Sequence, residues 1–196
     1  GTALAVEPSR EAIARFFGVK GSTIEVVPEG AIPTPLPSPT FAPGGGLVRE
    51  VPLSQVATPT PLGSIAAAAG FDALLPAGQG APLRSFVVSL GSDRVVLLQF
   101  ETFDLWEARL EQEASFGKGI TAGSVSEELT VGGEPAYWLS GSPHYVQYID
   151  SRGVRIEASL RVVERSTLIW RTDAAFYRIE TSLPRDEAVR IASTLR

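Results

Sequence analysis

Ser124-Val125-Ser126-Glu127-Glu128-Leu129-Thr130-Val131 leads into Gly132-Gly133-Glu134 and then into Pro135-Ala136-Tyr137-Trp138-Leu139-Ser140. Two β-prone runs joined by paired glycines predict a hairpin, because glycine adopts the positive φ that a tight β-turn requires. No helix pattern follows the glycines, so they are a turn and not a dinucleotide-binding motif. The same arrangement recurs on both sides. Residues 84–90 and 94–102 flank Gly91-Ser92-Asp93, residues 145–149 and 154–163 flank Asp150-Ser151-Arg152-Gly153, and residues 167–171 and 175–181 flank Thr172-Asp173-Ala174. In 154–163, Val154, Ile156, Ala158, Leu160 and Val162 alternate with Arg155, Glu157, Ser159 and Arg161, giving one dry and one wet face. Residues 95–100 are apolar on both faces, which predicts a central, covered strand.

Helical patterns are few. Ser64 is placed to cap a brief helix over residues 65–69, stopped by Gly70. Asp104-Leu105-Trp106-Glu107 has capping-box spacing, Trp106, Leu110 and Ala114 repeat every four residues, and Arg109 can pair with Glu113. These predict a helix over 105–114, ended by Gly117-Lys118-Gly119. Pro184 opens a last helix with Ala188, Ile191, Ala192 and Leu195 on one stripe. Repeated hairpins closed by a helix predict an α+β fold: a mostly antiparallel β-sheet with a few short helices packed on one face.

Upstream the chain changes character. Ser9, Glu11 and Gly18 bracket a short predicted helix with Ile13, Phe16 and Phe17 on its apolar face, and a strand is expected over residues 22–27. Nine of the 15 prolines lie in residues 28–61, where only Glu29, Arg49 and Glu50 are charged. Pro33-Thr34-Pro35-Leu36-Pro37-Ser38-Pro39 predicts extended polyproline II, and residues 47–51 a short edge strand. The expected organisation is therefore a juxtamembrane helix and strand (1–27), a Pro/Gly-rich linker or arm (28–61) and an α+β domain (62–196).

Composition bounds the chemistry. The 196 residues (20.8 kDa) include no cysteine and one histidine, His144, which excludes thiolate catalysis, disulfides and any multi-histidine metal site within one chain. A net charge of −5 argues against nucleic acid as a partner. The absence of any methionine, even at residue 1, is expected of a cut or trimmed chain, and no apolar run is long enough to span a bilayer. Gly117-Lys118-Gly119 lacks phosphate-loop spacing. Glu127-Glu128 and Glu111/Glu113 diverge on a strand or helix instead of converging as a catalytic pair. Ser142 and Asp150 are near His144 in sequence, but there is no nucleophile elbow. Catalytic, metal and cofactor-binding residues are therefore expected to be none. Trp138, Tyr145 and Tyr148, with Tyr177, are the aromatic candidates for a binding cleft, though such residues commonly serve as core. Residues 144–196 hold nine arginines and seven acids; cross-strand pairing accounts for them, and an arginine-lined anion site is the alternative.

The order of several segments carries a resemblance. Phe71-Asp72-Ala73-Leu74-Leu75-Pro76-Ala77, Val95-Val96-Leu97-Leu98-Gln99-Phe100, Phe116-Gly117-Lys118-Gly119, Val131 through Gly141, Leu168-Ile169-Trp170-Arg171, and Tyr177-Arg178-Ile179-Glu180 leading into Asp186-Glu187-Ala188-Val189-Arg190-Ile191-Ala192 follow one another. This succession, over residues 62–196, resembles a C-terminal domain of uncharacterised function in bacterial single-pass membrane proteins, many of which look like anti-sigma factors. The resemblance implies an extracytoplasmic, non-enzymatic sensory or scaffold domain. It would be tethered to the membrane through an N-terminal anchor outside this chain. Sigma-factor contact would lie only in a missing cytoplasmic region, and an envelope protein or ligand would be the signal. An envelope module for lipid or cell-wall fragments is the alternative. A hydrolase would need a cleft joining His144 or an acid pair to a nucleophile.

Overall fold

The computed structural model describes residues 57–90, 93–109, 123–149 and 161–196, together with the backbone of 17–19, 22–26 and 115–120. In chain order the elements are β1 (Phe17–Val19), β2 (Ser22–Val26), β3 (Ala57–Pro59), α1 (Ile65–Ala69), β4 (Arg84–Leu90), β5 (Asp93–Gln99), β6 (Phe103–Ala108), β7 (Ser115–Ile120), β8 (Ser124–Val131), β9 (Glu134–Gly141), β10 (His144–Ile149), β11 (Arg161–Val163), β12 (Ser166–Arg171), β13 (Phe176–Thr181) and α2 (Arg185–Ala192). Eight strands form one sheet in the order β3-β4-β5-β6-β13-β12-β9-β8, and five form a second in the order β1-β2-β7-β10-β11. Every pairing among them is antiparallel except β2 with β7.

The predicted hairpins form for the reasons their sequences suggest. Gly132 and Gly133 both take positive φ (61° and 92°) and close a two-residue turn between Val131 and Glu134. β4 and β5 pair from Arg84↔Gln99 to Leu90↔Asp93, and β12 and β13 from Ser166↔Thr181 to Arg171↔Phe176. Gly70 ends α1 in the left-handed conformation, while Ser64, expected as its cap, makes no side-chain capping bond. Pro184 occupies the N-cap position of α2, with Asp186 and Glu187 in its first turn where the helix dipole favours acids.

Both helices lie on one face of the large sheet. Ile65 of α1 and Ala188, Ile191 and Ala192 of α2 join Val96, Leu98, Phe103, Leu105, Leu168, Trp170, Tyr177 and Ile179 in one buried cluster. The opposite face is covered by the small sheet. Val146, Tyr148 and Val163 pack there on Val95, Leu97, Trp106, Leu139, Ile169 and Phe176. The mostly antiparallel sheet and short helices are thus as the sequence predicts, and the second sheet is an addition to that expectation.

Several sequence expectations are corrected. Residues 103–108 are a central strand, not the start of a helix. β6 pairs with β5 on one side and β13 on the other, and all six of its residues are buried. The capping-box spacing and the Trp106 repeat satisfy a local helix pattern, but burial on both faces overrides that preference. Gly117-Lys118-Gly119 lies within β7 instead of ending a helix. Phe17 and Gly18 belong to β1, so the end of the predicted N-terminal helix is extended chain. The rest of that helix, the polyproline run, the edge strand at 47–51 and residues 110–114 and 150–160 lie outside the described residues. Ala57–Pro59 pairs with β4 as an edge strand of the large sheet, and residues 22–26 pair with β7 in the small sheet. Pro59 is tolerated in β3 because edge strands leave N–H positions unused.

Candidate functional site

Side-chain alternation along β6 and β13 sends two kinds of residue to the two faces of the large sheet. Trp106 is the Cα partner of Arg178, and Asp104 of Glu180, so these four share the face covered by the small sheet. From the opposite side Arg161 of β11, and Arg165 just before β12, reach into the same layer. Arg178 Nη2 is 2.8 Å from Glu180 Oε1, and both side chains are almost wholly buried. Arg165 pairs with Asp104, and its Nη2 is 3.7 Å from Glu180 Oε2. Arg161 Nη2 is 3.9 Å from the same Glu180 oxygen, and Gln99 Nε2 donates to Asp104 Oδ1 at 3.3 Å.

Trp106 is the centre of this layer. The Arg178 and Arg161 guanidinium carbons lie 4.4 and 4.5 Å from its ring centroid, within cation–π distance. Burial lowers the Arg178 pKa to about 10, opposed by Glu180, with Arg161 lowering it further and Asp104 opposing. Arg178 therefore stays charged at neutral pH.

Two further polar contacts involve the same layer. His144 is buried at the start of β10, and its Nε2 is 3.0 Å from Thr167 Oγ1 on β12, joining the two sheets. The Tyr148 hydroxyl donates to the Asp93 carboxylate.

Glu107 lies on the helix-covered face. Its Oε2 accepts the Leu74 N–H at 2.8 Å, pinning the segment after α1 to the sheet. Burial pushes its carboxyl up to about 7, against the Leu74 hydrogen bond and the Arg109 charge, both of which lower it. The same segment is tied to the C-terminus: Leu75 and Arg196 exchange backbone hydrogen bonds, and Ala77 N–H donates to Thr194.

The aromatic candidates do not share a cleft. Trp138 is in the helix-side cluster and Tyr148 in the cluster between the sheets. Tyr145 alternates with Val146 and so occupies the other face of β10, while Tyr177 stacks on Trp170 at 5.1 Å in the helix-side core. The depression of about 350 Å³ over the β8–β9 hairpin is shallow and lined by Glu128, Leu129, Thr130, Pro135, Ala136 and Tyr137. Among the described residues no three metal-ligating side chains converge.

Sequence reasoning expects pairing among the arginines and acids of 144–196, but not that the pairs lie buried between two sheets. The signal of this layer is the alternation Tyr177-Arg178-Ile179-Glu180, whose charged positions resemble a wet face until a second sheet covers them. Compared with protein-family models, characterised proteins and solved structures, the chain matches none.

Proposed function

We propose that this chain is the non-enzymatic, extracytoplasmic sensory or scaffold domain of a membrane-anchored, anti-sigma-factor-like regulator. The observation that carries the reading is the segment order that produces the resemblance, from Phe71-Asp72-Ala73-Leu74 to the last helix, downstream of the proline-rich residues 28–61. A proline-rich stretch is a semi-rigid spacer and suits transmission between an anchor and a folded head. The packing of the head also supports the reading: Arg178 pairs with Glu180 and Arg165 with Asp104 in the buried layer, and the space between the sheets is filled by Tyr148, Leu139, Ile169 and Phe176. That filling favours a scaffold over a carrier of acyl chains. In this reading an envelope protein or ligand supplies the signal, and sigma-factor contact belongs to a cytoplasmic region outside this chain.

The test is topological. Alkaline phosphatase, which folds only where its disulfides form, is fused after Arg196 of the full gene product. An active fusion, with an inactive cytoplasmic reporter at the same position, is the expected result. The reverse pattern would overturn the reading.

A further inference from the structure

We propose that the corner between the sheets formed by Trp106 and Arg161 binds a compact oxyanion, a carboxylate or a phosphate. Two buried donors there, Trp106 Nε1 and Arg161 Nη1, have no hydrogen-bond partner. The side chains are in stacking contact, with the Arg161 guanidinium carbon 4.5 Å from the indole centroid. Indole and guanidinium groups donate only, so an acceptor alone can satisfy them. Native proteins seldom leave such groups unpaired, and when they do the group commonly marks a ligand or an ordered water.

Charge selects between those two occupants. Around Trp106, among the described residues, three guanidinium groups (Arg161, Arg165 and Arg178) face two carboxylates (Asp104 and Glu180), while Asp93, the layer's other carboxylate, accepts from Tyr148. The positive excess sits beside the unpartnered donors, and burial between two sheets screens it less than exposed surface charge. Glu180 Oε2 is 3.9 Å from Arg161 Nη2, so the second nitrogen of the Arg161 fork is left for another oxygen. A planar fork beside a neutral N–H donor matches two oxygens of one carboxylate or phosphate. The Arg161 and Arg165 side chains, 20% and 37% exposed, border the corner, while the two donor atoms themselves are closed to solvent. The geometry of this corner is independent of where the domain is located in the cell.

The test uses the indole N–H resonances of the three tryptophans in the whole chain, with that of Trp106 assigned by Trp106→Phe. Sodium acetate, sodium phosphate and sodium chloride are titrated separately into a low-salt zwitterionic buffer. The expected result is a saturable shift of the Trp106 indole signal with acetate or phosphate at millimolar concentration, with Trp138 and Trp170 unmoved. Arg161→Lys keeps the charge but loses the fork, and should weaken the response about tenfold. No saturable shift with either oxyanion would overturn the proposal and leave an ordered water at the corner. An equal response to chloride would also overturn it, reducing the corner to a place for any counter-ion. The titration of the unaltered protein decides by itself should the variant not fold.

Discussion

β6 faces two different interiors at once. Phe103, Leu105 and Glu107 enter a core roofed by helices, while Asp104, Trp106 and Ala108 enter a layer roofed by a second sheet. The helix side places one acid, Glu107, against apolar neighbours with a single backbone donor. The sheet side places acids among guanidinium groups that stack on an indole. Burial lets Glu107 hold its proton to about pH 7 in spite of the Leu74 N–H and the Arg109 charge, whereas burial lowers Arg178 only to about 10, with Glu180 opposing, and it stays charged at neutral pH. Burial moves both groups toward their neutral forms, and their ordinary values on opposite sides of neutrality decide which one reaches physiological pH.

The strongest way to break this comparison is to remove company from the sheet side. Arg178→Met leaves Glu180 buried without its nearest cation and should cost about 3–5 kcal/mol in urea unfolding. Arg178→Met with Glu180→Leu should recover most of that loss, because a buried ion pair and an apolar pair of similar volume are close in stability. A single variant as stable as the parent would mean that Arg161 and Arg165 alone hold Glu180.

Glu107→Gln sharpens the helix side. The folded carboxyl titrates near 7, above the ordinary 4.5, so its proton is held more tightly folded than unfolded. Its stabilising contribution is complete below pH 4.5 and is lost as the pH rises to about 7, with a total of about 3 kcal/mol. Glutamine carries no charge and retains an oxygen for the Leu74 N–H. The variant should therefore lack this slope and exceed the parent in stability by about 2–3 kcal/mol at pH 8. Urea midpoints at pH 5 and pH 8 measure it, and parallel curves for the two proteins would contradict the assignment.

A smaller effect is expected at the seam between the sheets. Gly141 ends β9 just before β10 with φ at +94°, and a Cβ there would lie 2.5 Å from the Gly123 backbone oxygen. Gly141→Ala should cost about 1–3 kcal/mol from backbone strain and this collision, read as a lowered melting temperature. It should destabilise the β8–β9 end without altering the Glu107 pH slope, since the two sites share no side-chain contact.

The same contrast explains what could be read from the chain beforehand. Hairpins with dry and wet faces, such as β8–β9, were legible because alternation and glycine turns are local signals. β6 was not, since a strand buried on both faces loses alternation, and Asp104 with Glu107 reproduces a helix cap by spacing alone. The small sheet was only partly legible. β10 was expected, but β7 is Ser115-Phe116-Gly117-Lys118-Gly119-Ile120, glycine-rich and weak in strand propensity, and it is stabilised by neighbours on distant segments. The charge layer was hidden for the same reason: Arg178 and Glu180 resemble a solvated face until β10 and β11 are placed over them. The aromatics Trp138, Tyr145 and Tyr148 are cleft candidates by size and polarity, which do not reveal the face of the sheet each will occupy.

The last and smallest effect tests whether company matters at the surface as it does inside. Arg185 donates to Glu127 at 2.6 Å across the α2–β8 contact, and also to Asp186, with side-chain exposures of 46%, 42% and 85%. The distance is shorter than most in the buried layer, so geometry alone would rank this pair among the strongest. Water argues otherwise. Exposed charges are already well solvated, salt screens them, and fixing two long side chains opposes the Coulomb gain. Arg185→Ala should leave the melting temperature unchanged at physiological salt, with at most a slight loss at low ionic strength. A large loss that persists in high salt would show that α2 is held to β8 by this pair and not by Ala188, Ile191 and Ala192, which are buried against the large sheet.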